Sequence, residues 1–245
     1  MSQDRVAVVI PSRYASTRFP AKPLAMLCGR PMVQHVYEKA AASSADLTVI
    51  ATDHQAICNT VAGFGGRAVM TAESHPSGTD RIAEAVSKLG EEVDIVINVQ
   101  GDEPLIPTSV IDELIAIMKC DPSIEMATVA VPGNRRTMTE NNVKVVFGED
   151  RFALYFSRSM IPFLRAGGAE APVYLHWGIY AYRKSALDRF VALPPGRLEE
   201  CEKLEQLRAL ENGIRIYVHL SELESIGVDT PEDLVRAEKK LLEGR

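Results

Sequence analysis

The run Asp94–Gln100, DIVINVQ, puts apolar residues on both faces of any strand it forms. Such a strand needs cover on both sides, which is the situation of a central strand in a parallel sheet. Val6–Ile10 (VAVVI) has the same character. Between the two runs the pattern alternates. After Pro31, which can take a first helical position, Met32, Val33, Val36, Tyr37 and Ala40 recur at helical spacing. Leu47–Thr52 reads as a strand, Ile57 and Val61 mark a helix that Gly65 and Gly66 end, and Arg67–Thr71 reads as a further strand. Thr79 or a neighbour caps a helix with Ile82, Ala83 and Val86 on one face. Strands alternating with helices predict an α/β fold, doubly wound around a mostly parallel sheet.

The second half is less regular. Strand signals fall at Met126–Val131, Val143–Phe147, Phe152–Ser157 and Tyr174–Tyr182, separated by polar or glycine-containing loops. They suggest an added antiparallel region within roughly 126–182 rather than more βαβ units. A helix is expected over Glu199–Glu211, with Leu204, Leu207 and Leu210 inward and Asn212 and Gly213 as its stop. A last helix begins near Pro231, capped by Thr230 or Asp229. At 245 residues, without a repeat or a clear linker, one domain spanning 1–245 is expected.

A net charge of -6 argues against general nucleic-acid binding. The apolar runs are of strand length, and Asp4 and Arg5 stand where a signal peptide would need a cationic end before an apolar centre, so a cytoplasmic protein without a membrane partner is expected. Cys28, Cys58, Cys120 and Cys201 are scattered with no CxxC and read as core thiols.

The charge distribution is uneven. No acidic residue lies between Asp4 and Glu38, whereas Arg5, Arg13, Arg18, Lys22 and Arg30 are cationic. This reads either as a solvated basic face or as an anion site, and its place directly after a buried strand favours the site, because open α/β sheets bind ligands at strand carboxyl ends. The loop lacks the glycines of GxGxxG, and the chain has no GxxxxGK[ST]. Arginine and lysine side chains without glycine amides suit a polyphosphate, and Pro20 and Pro23 stiffen the backbone around Lys22. In NVQGDEP, Gly101 allows a tight turn and Asp102 follows at the carboxyl end of the strand, as a solvated turn residue or as a magnesium ligand. Asp229 in GVDTPEDL is either a helix cap or a second ligand.

Seven blocks occur in order from Pro11 to Leu234: PSRYASTRFPAKPL, SGTDR, NVQGDEP, KVVF…YFSR, HWGIYAYR, LEQLRALENG and GVDTPEDL. With them the chain resembles the 3-deoxy-manno-octulosonate cytidylyltransferase (CMP-KDO synthetase) family over nearly its whole length. The resemblance implies a Rossmann-like nucleotidyltransferase fold of the nucleotide-diphospho-sugar transferase type, a homodimer, and the joining of CTP to the eight-carbon sugar acid KDO for lipopolysaccharide synthesis. It maps Arg13 and Lys22 to the triphosphate, and Ser77, Gly78 and Thr79 to the segment beside cytosine. Arg18, Gln100, His176, Tyr180, Glu205 and Gln206 map to the sugar acid, and Asp102 and Asp229 to Mg2+. Lys22, Asp102 and Asp229 then carry catalysis. Without the resemblance His176 reads as a satisfied core histidine, and Glu205 and Gln206 as helix residues facing water. Within the same chemistry 8-amino-KDO or sialic acid are rival substrates, and a non-catalytic nucleotide-binding module is the rival from another class. Ser12 and Ala21 stand where the family often has Ala and Gly. Ala21 weakens the case for positive φ at that position.

Overall fold

The computed structural model describes residues 4–15, 19–168, 171–223 and 225–243. The chain divides into two compact units, Met1–Ala116 with Glu224–Arg245, and Ile117–Leu223. Together their elements make a mixed α/β fold.

In the first unit, β1 (Val6–Ser12) is followed by a two-residue hairpin, β2 (Met26–Leu27) and β3 (Arg30–Pro31). Cys28 and Gly29 turn the hairpin with φ of 49° and 77°, the pair of left-handed residues that a tight right-twisted hairpin needs. Then come α1 (Met32–Ala41), β4 (Leu47–Thr52), α2 (Gln55–Gly63), β5 (Ala68–Met70), α3 (Gly78–Lys88), β6 (Ile95–Asn98) and the start of α4 (Thr108–Cys120), which belongs to this unit as far as Ala116. β6, β1, β4 and β5 lie side by side in that order, all parallel. The chain first winds from β1 through β4 to β5, and then returns past β1 to place β6 on its other side. The crevice at the carboxyl ends of β1 and β6 is therefore a topological switch point, where open parallel sheets bind ligands.

Both apolar runs are covered on both faces, as expected. Val6–Ile10 and Ile95–Ile97 are fully buried. Smaller expectations are corrected. Pro31 is the N-cap of α1 rather than its first residue. α3 is capped by Ser77, whose Oγ accepts from Asp80 N at 3.1 Å, and its buried face carries Ile82, Ala85 and Val86, with Ala83 turned partly outward. The thiols are not core groups: Cys28 and Cys58 are half-buried, and Cys120 and Cys201 are exposed at a helix end and on an outer helix face.

The second unit contains β7 (Met126–Gly133), β8 (Lys144–Phe147), β9 (Ala153–Ser157), β10 (Val173–Arg183), α5 (Lys184–Val191), α6 (Arg197–Glu202), α7 (Gln206–Glu211) and β11 (Ile216–Leu220). β10 runs antiparallel to β7 and β8, and β8 antiparallel to β9; β11 is parallel to β7. The single helix expected over Glu199–Glu211 is two. Lys203 adopts φ 53°, and Arg158 Nε donates to the Glu202 carbonyl at 2.8 Å, which satisfies the end of α6 and lets the chain turn before α7. Leu204 and Leu207 are buried as expected, but Ala209 is buried in place of Leu210.

The last segment belongs to the first unit and forms α8 (Pro231–Glu243). Its Ala237, with Val228, packs on Leu27 and Met32. Glu238 accepts from Cys28 N at 3.0 Å, so the C-terminal helix is fastened to the β2–β3 hairpin beside Lys22.

Candidate active site

The switch point opens into a cavity of about 410 Å3 in the first unit. Its walls come from the end of β1 (Ser12, Arg13), the basic loop (Lys22, Pro23), the start of α3 (His75 to Gly78, Arg81), the turn after β6 (Gln100 to Asp102) and Asp229. Gly101 is needed at this wall for proximity and not for a positive φ: a Cβ there would lie 2.7 Å from both the Pro11 carbonyl oxygen and Ser12 Oγ. The absence of that Cβ lets the two strand ends approach each other.

Lys22 is the charged centre of the cavity. Its Nζ donates to Asp102 Oδ2 at 2.7 Å and to Asp229 Oδ1 at 3.1 Å. One ammonium thus offsets the repulsion between two carboxylates that are remote in sequence. Lys22 is held there by the 3-10 turn Lys22–Leu24, entered through Ala21 at φ 53°. The positive φ is therefore required, although the sequence supplies alanine, and the expectation drawn from Ala21 is reversed. Left-handed backbone costs a non-glycine residue about 1 kcal/mol.

The ambiguity at Asp229 resolves by division of labour. Thr230 Oγ1 accepts from Asp233 N at 3.2 Å while Thr230 N donates to Asp233 Oδ2 at 3.1 Å, so Thr230 caps α8 and the Asp229 carboxylate is turned to Lys22. Val228 N donates to the Asp102 carbonyl at 2.8 Å, which ties the two aspartate-bearing segments together.

The donor set suits a hard divalent cation. Asp102 and Asp229 offer only oxygen and converge on one cationic group, and no cluster of three or more His, Cys, Asp or Glu residues fit for a metal occurs among the described residues. Magnesium commonly takes one or two carboxylates and completes its shell with phosphate oxygens and water, which matches two carboxylates at an open cavity.

Of the residues expected at the nucleotide, Arg13, Lys22, Ser77 and Gly78 line the cavity, together with Gln100, Asp102 and Asp229. Thr79 is buried in the first turn of α3. Arg18 lies outside the described residues.

His176, Tyr180, Glu205 and Gln206 belong to the second unit. A bulge between Trp177 and Tyr180 brings the His176 and Tyr180 rings within 5.4 Å on one side of β10, and His176 Nε2 is 3.1 Å from Thr128 Oγ1. Burial pushes the His176 imidazole down to about 3, so it is neutral at physiological pH. A neutral imidazole suits a hydroxyl group better than ionic pairing with a carboxylate. Burial, with nearby Tyr182 and Glu205, holds the Tyr180 phenol well above its usual range and keeps it protonated. Gln206 is buried, and its amide nitrogen has no hydrogen-bond partner among the described residues.

The cavity also uses residues to which the sequence reading gave no role. Arg81 is buried in the cavity wall and paired with Asp53 at 2.8 Å, and His75 is hydrogen-bonded to Glu84. Arg81 left a signal: it stands four residues before the buried Ala85, on the apolar face of α3, where an unpaired cation is not tolerated.

A family model described as cytidylyltransferase matches residues 7–216. The 3-deoxy-manno-octulosonate cytidylyltransferase of Thermodesulfovibrio yellowstonii is 52% identical over 246 residues, covering 95% of this chain and 96% of the relative. The 8-amino-3,8-dideoxy-manno-octulosonate cytidylyltransferase of Shewanella sp. strain ANA-3 is 48% identical over 241 residues, covering 96% and 98%. Among solved structures, a CMP:2-keto-3-deoxy-manno-octonic acid synthetase complexed with CTP is similar with a TM-score of 0.94 and 39% identity, over 99% of this chain and 100% of that one.

Proposed function

This chain belongs to the cytidylyltransferase family, and from that premise we propose that it joins CTP to KDO, giving CMP-KDO and pyrophosphate for lipopolysaccharide synthesis. The observation that carries the reading is the cavity in which Arg13, Lys22, Asp102 and Asp229 meet at the switch point. The substrate is supported by the names of the relatives at 52% identity and of the similar CTP-complexed structure.

The anomeric hydroxyl oxygen of the sugar acid attacks the α-phosphorus of CTP in line. Its bond to phosphorus forms as the bond from phosphorus to the α–β bridging oxygen breaks. Pyrophosphate leaves with that electron pair, and the hydroxyl proton passes to water. Lys22 and Arg13 neutralise the leaving group as its charge grows. Ser77 and Gly78 flank the cytosine, and Thr79 supports them from its buried place in the first turn of α3. Arg18, Gln100, His176, Tyr180, Glu205 and Gln206 hold the sugar acid, His176 as a neutral partner for a hydroxyl group. Asp102 and Asp229 would hold magnesium, which supplies positive charge beside the reacting phosphate when bound. No protein nucleophile is needed.

The same reading makes the protein a cytoplasmic homodimer acting as one nucleotidyltransferase domain. Leu154 at 68% and Phe163 at 86% exposure are apolar groups that a second copy would cover. No helix among the described residues is long and apolar enough to cross a membrane. The 48% identical relative keeps 8-amino-KDO as a second substrate reading.

The test is pyrophosphate release with magnesium and CTP, comparing KDO, 8-amino-KDO and sialic acid, with the other nucleoside triphosphates as controls. Release that requires both CTP and KDO is expected. CTP binding without release from any sugar acid would replace the enzyme with a nucleotide-binding module.

A further inference from the structure

Beyond the residues that face substrates, one buried carboxylate holds both sides of the nucleotide cavity. β1 and β4 are parallel with Ser12 opposite Thr52, so Arg13 and Asp53 leave the sheet side by side. Asp53 Oδ1 accepts from Tyr14 N at 3.0 Å, and Oδ2 accepts from Arg81 Nη2 at 2.8 Å. The Arg81 and Asp53 side chains are only 4% and 7% exposed. Arg81 is fixed further by Nη1, which donates to Thr71 Oγ1 at 2.6 Å and to the Ala72 carbonyl at 3.3 Å. The next residue, His54, stacks on the Tyr14 ring with centroids 3.8 Å apart and planes 15° off parallel. Its Nδ1 accepts from Ala56 N at 3.1 Å as the cap of α2, so the platform under Tyr14 is itself anchored.

We infer that Asp53 is a positioning residue: it clamps Tyr14 and so fixes the neighbouring Arg13 for the triphosphate, while the same carboxylate seats Arg81 in the wall formed by the start of α3. This rests on Arg13 contacting the triphosphate. The physical logic lies in the two partners of the Asp53 carboxylate. The buried guanidinium needs the carboxylate charge, but Tyr14 N needs only an acceptor oxygen, so the two demands separate by mutation. A loop fixed before the ligand arrives loses less entropy on binding, and small misplacements of a phosphate-holding group are costly.

The experiment compares Asp53→Asn/Arg81→Gln with Asp53→Leu/Arg81→Gln. Both lack the ion pair and Arg81, but only the asparagine retains an acceptor for Tyr14 N. Thermal midpoints within a few degrees of each other are expected, with KM for CTP about tenfold higher or more in the leucine variant and KM for the sugar acid within about threefold. The difference disappears when Arg13→Ala is added to both, because the clamp acts through Arg13. Equal KM for CTP in the two variants overturns the proposal. Amide exchange of Tyr14 in the unmutated, ligand-free protein is an independent check should the leucine variant not fold: protection of about a hundredfold or more is expected, and free exchange overturns the clamp. Failure of the underlying reading looks different, since Arg13→Ala alone would then leave KM for CTP unchanged.

Discussion

Replacing Lys22 by methionine separates its chemical role from its structural one. Its ammonium bonds two carboxylates that are 32% and 48% exposed, so solvent screens both pairs and each contributes at most about 1 kcal/mol to folding. Methionine keeps the length of the side chain. The expected stability loss is therefore about 1–2 kcal/mol, which for a chain of this size lowers Tm by roughly 2–8 °C. The effect on turnover should be larger. A preorganised group that stabilises charge developing in the transition state contributes about 3–4 kcal/mol, equivalent to a loss in kcat of roughly 10²–10³-fold. Pyrophosphate release at saturating CTP, KDO and magnesium, paired with a thermal melt, reads both quantities. A kcat within about threefold of the unmutated protein would remove Lys22 from the charge-stabilising machinery. A Tm loss well beyond 10 °C would make it chiefly a structural residue.

Further outcomes follow from four side chains. His176 has a folded value of about 3, below its unfolded value of roughly 6.5, so the unfolded chain binds the extra proton. Stability that is complete above about pH 6.5 is therefore lost as pH falls toward 3, at up to about 1.4 kcal/mol per pH unit; melts from pH 7 to 5 should flatten in His176→Gln, and an unchanged slope would exclude His176 as the source. Glu84, held down to about 2 chiefly by its hydrogen bond with Lys88, adds its own loss only below about pH 4.5. Thr230→Ala should remove the cap of α8 and about 1 kcal/mol, lowering Tm by roughly 2–4 °C, with kcat within a few-fold; a large kcat loss would show that cap and Asp229 carboxylate do not act separately. Ala21→Gly relieves the left-handed strain at φ 53°, partly offset by a more flexible unfolded chain, so Tm should hold or rise by up to roughly 4 °C, and a fall would contradict the loop geometry.

The parts of the fold that were legible are those whose cause is local. Val6–Ile10 and Asp94–Gln100 announce central strands because a strand apolar on both faces has no other stable place, and the alternation between them places the cavity at the strand ends. The basic loop and Asp102 were visible for the same reason: charge directly after a buried strand needs an explanation. The break at Lys203 was not visible, because the group that satisfies the carbonyls of Glu202 and Lys203 is Arg158, 45 residues before Lys203. β11 was missed because its pairing with β7 is remote in sequence.

The site shows the same boundary. The sequence by itself determined the residue types: cations after β1, carboxylates in NVQGDEP and GVDTPEDL, and a family pattern linking them. It left Asp229 between cap and ligand, since either role is compatible with one acidic residue before a helix. Tertiary structure alone decided that Thr230 takes the cap and that Asp229 meets Lys22 across 207 residues of sequence. It alone paired Asp53 with Arg81 and Tyr14. The reason is physical: capping and periodicity act over a few residues, whereas a buried or bridging charge is satisfied by whatever group the fold brings within about 3 Å, and sequence distance does not enter that interaction.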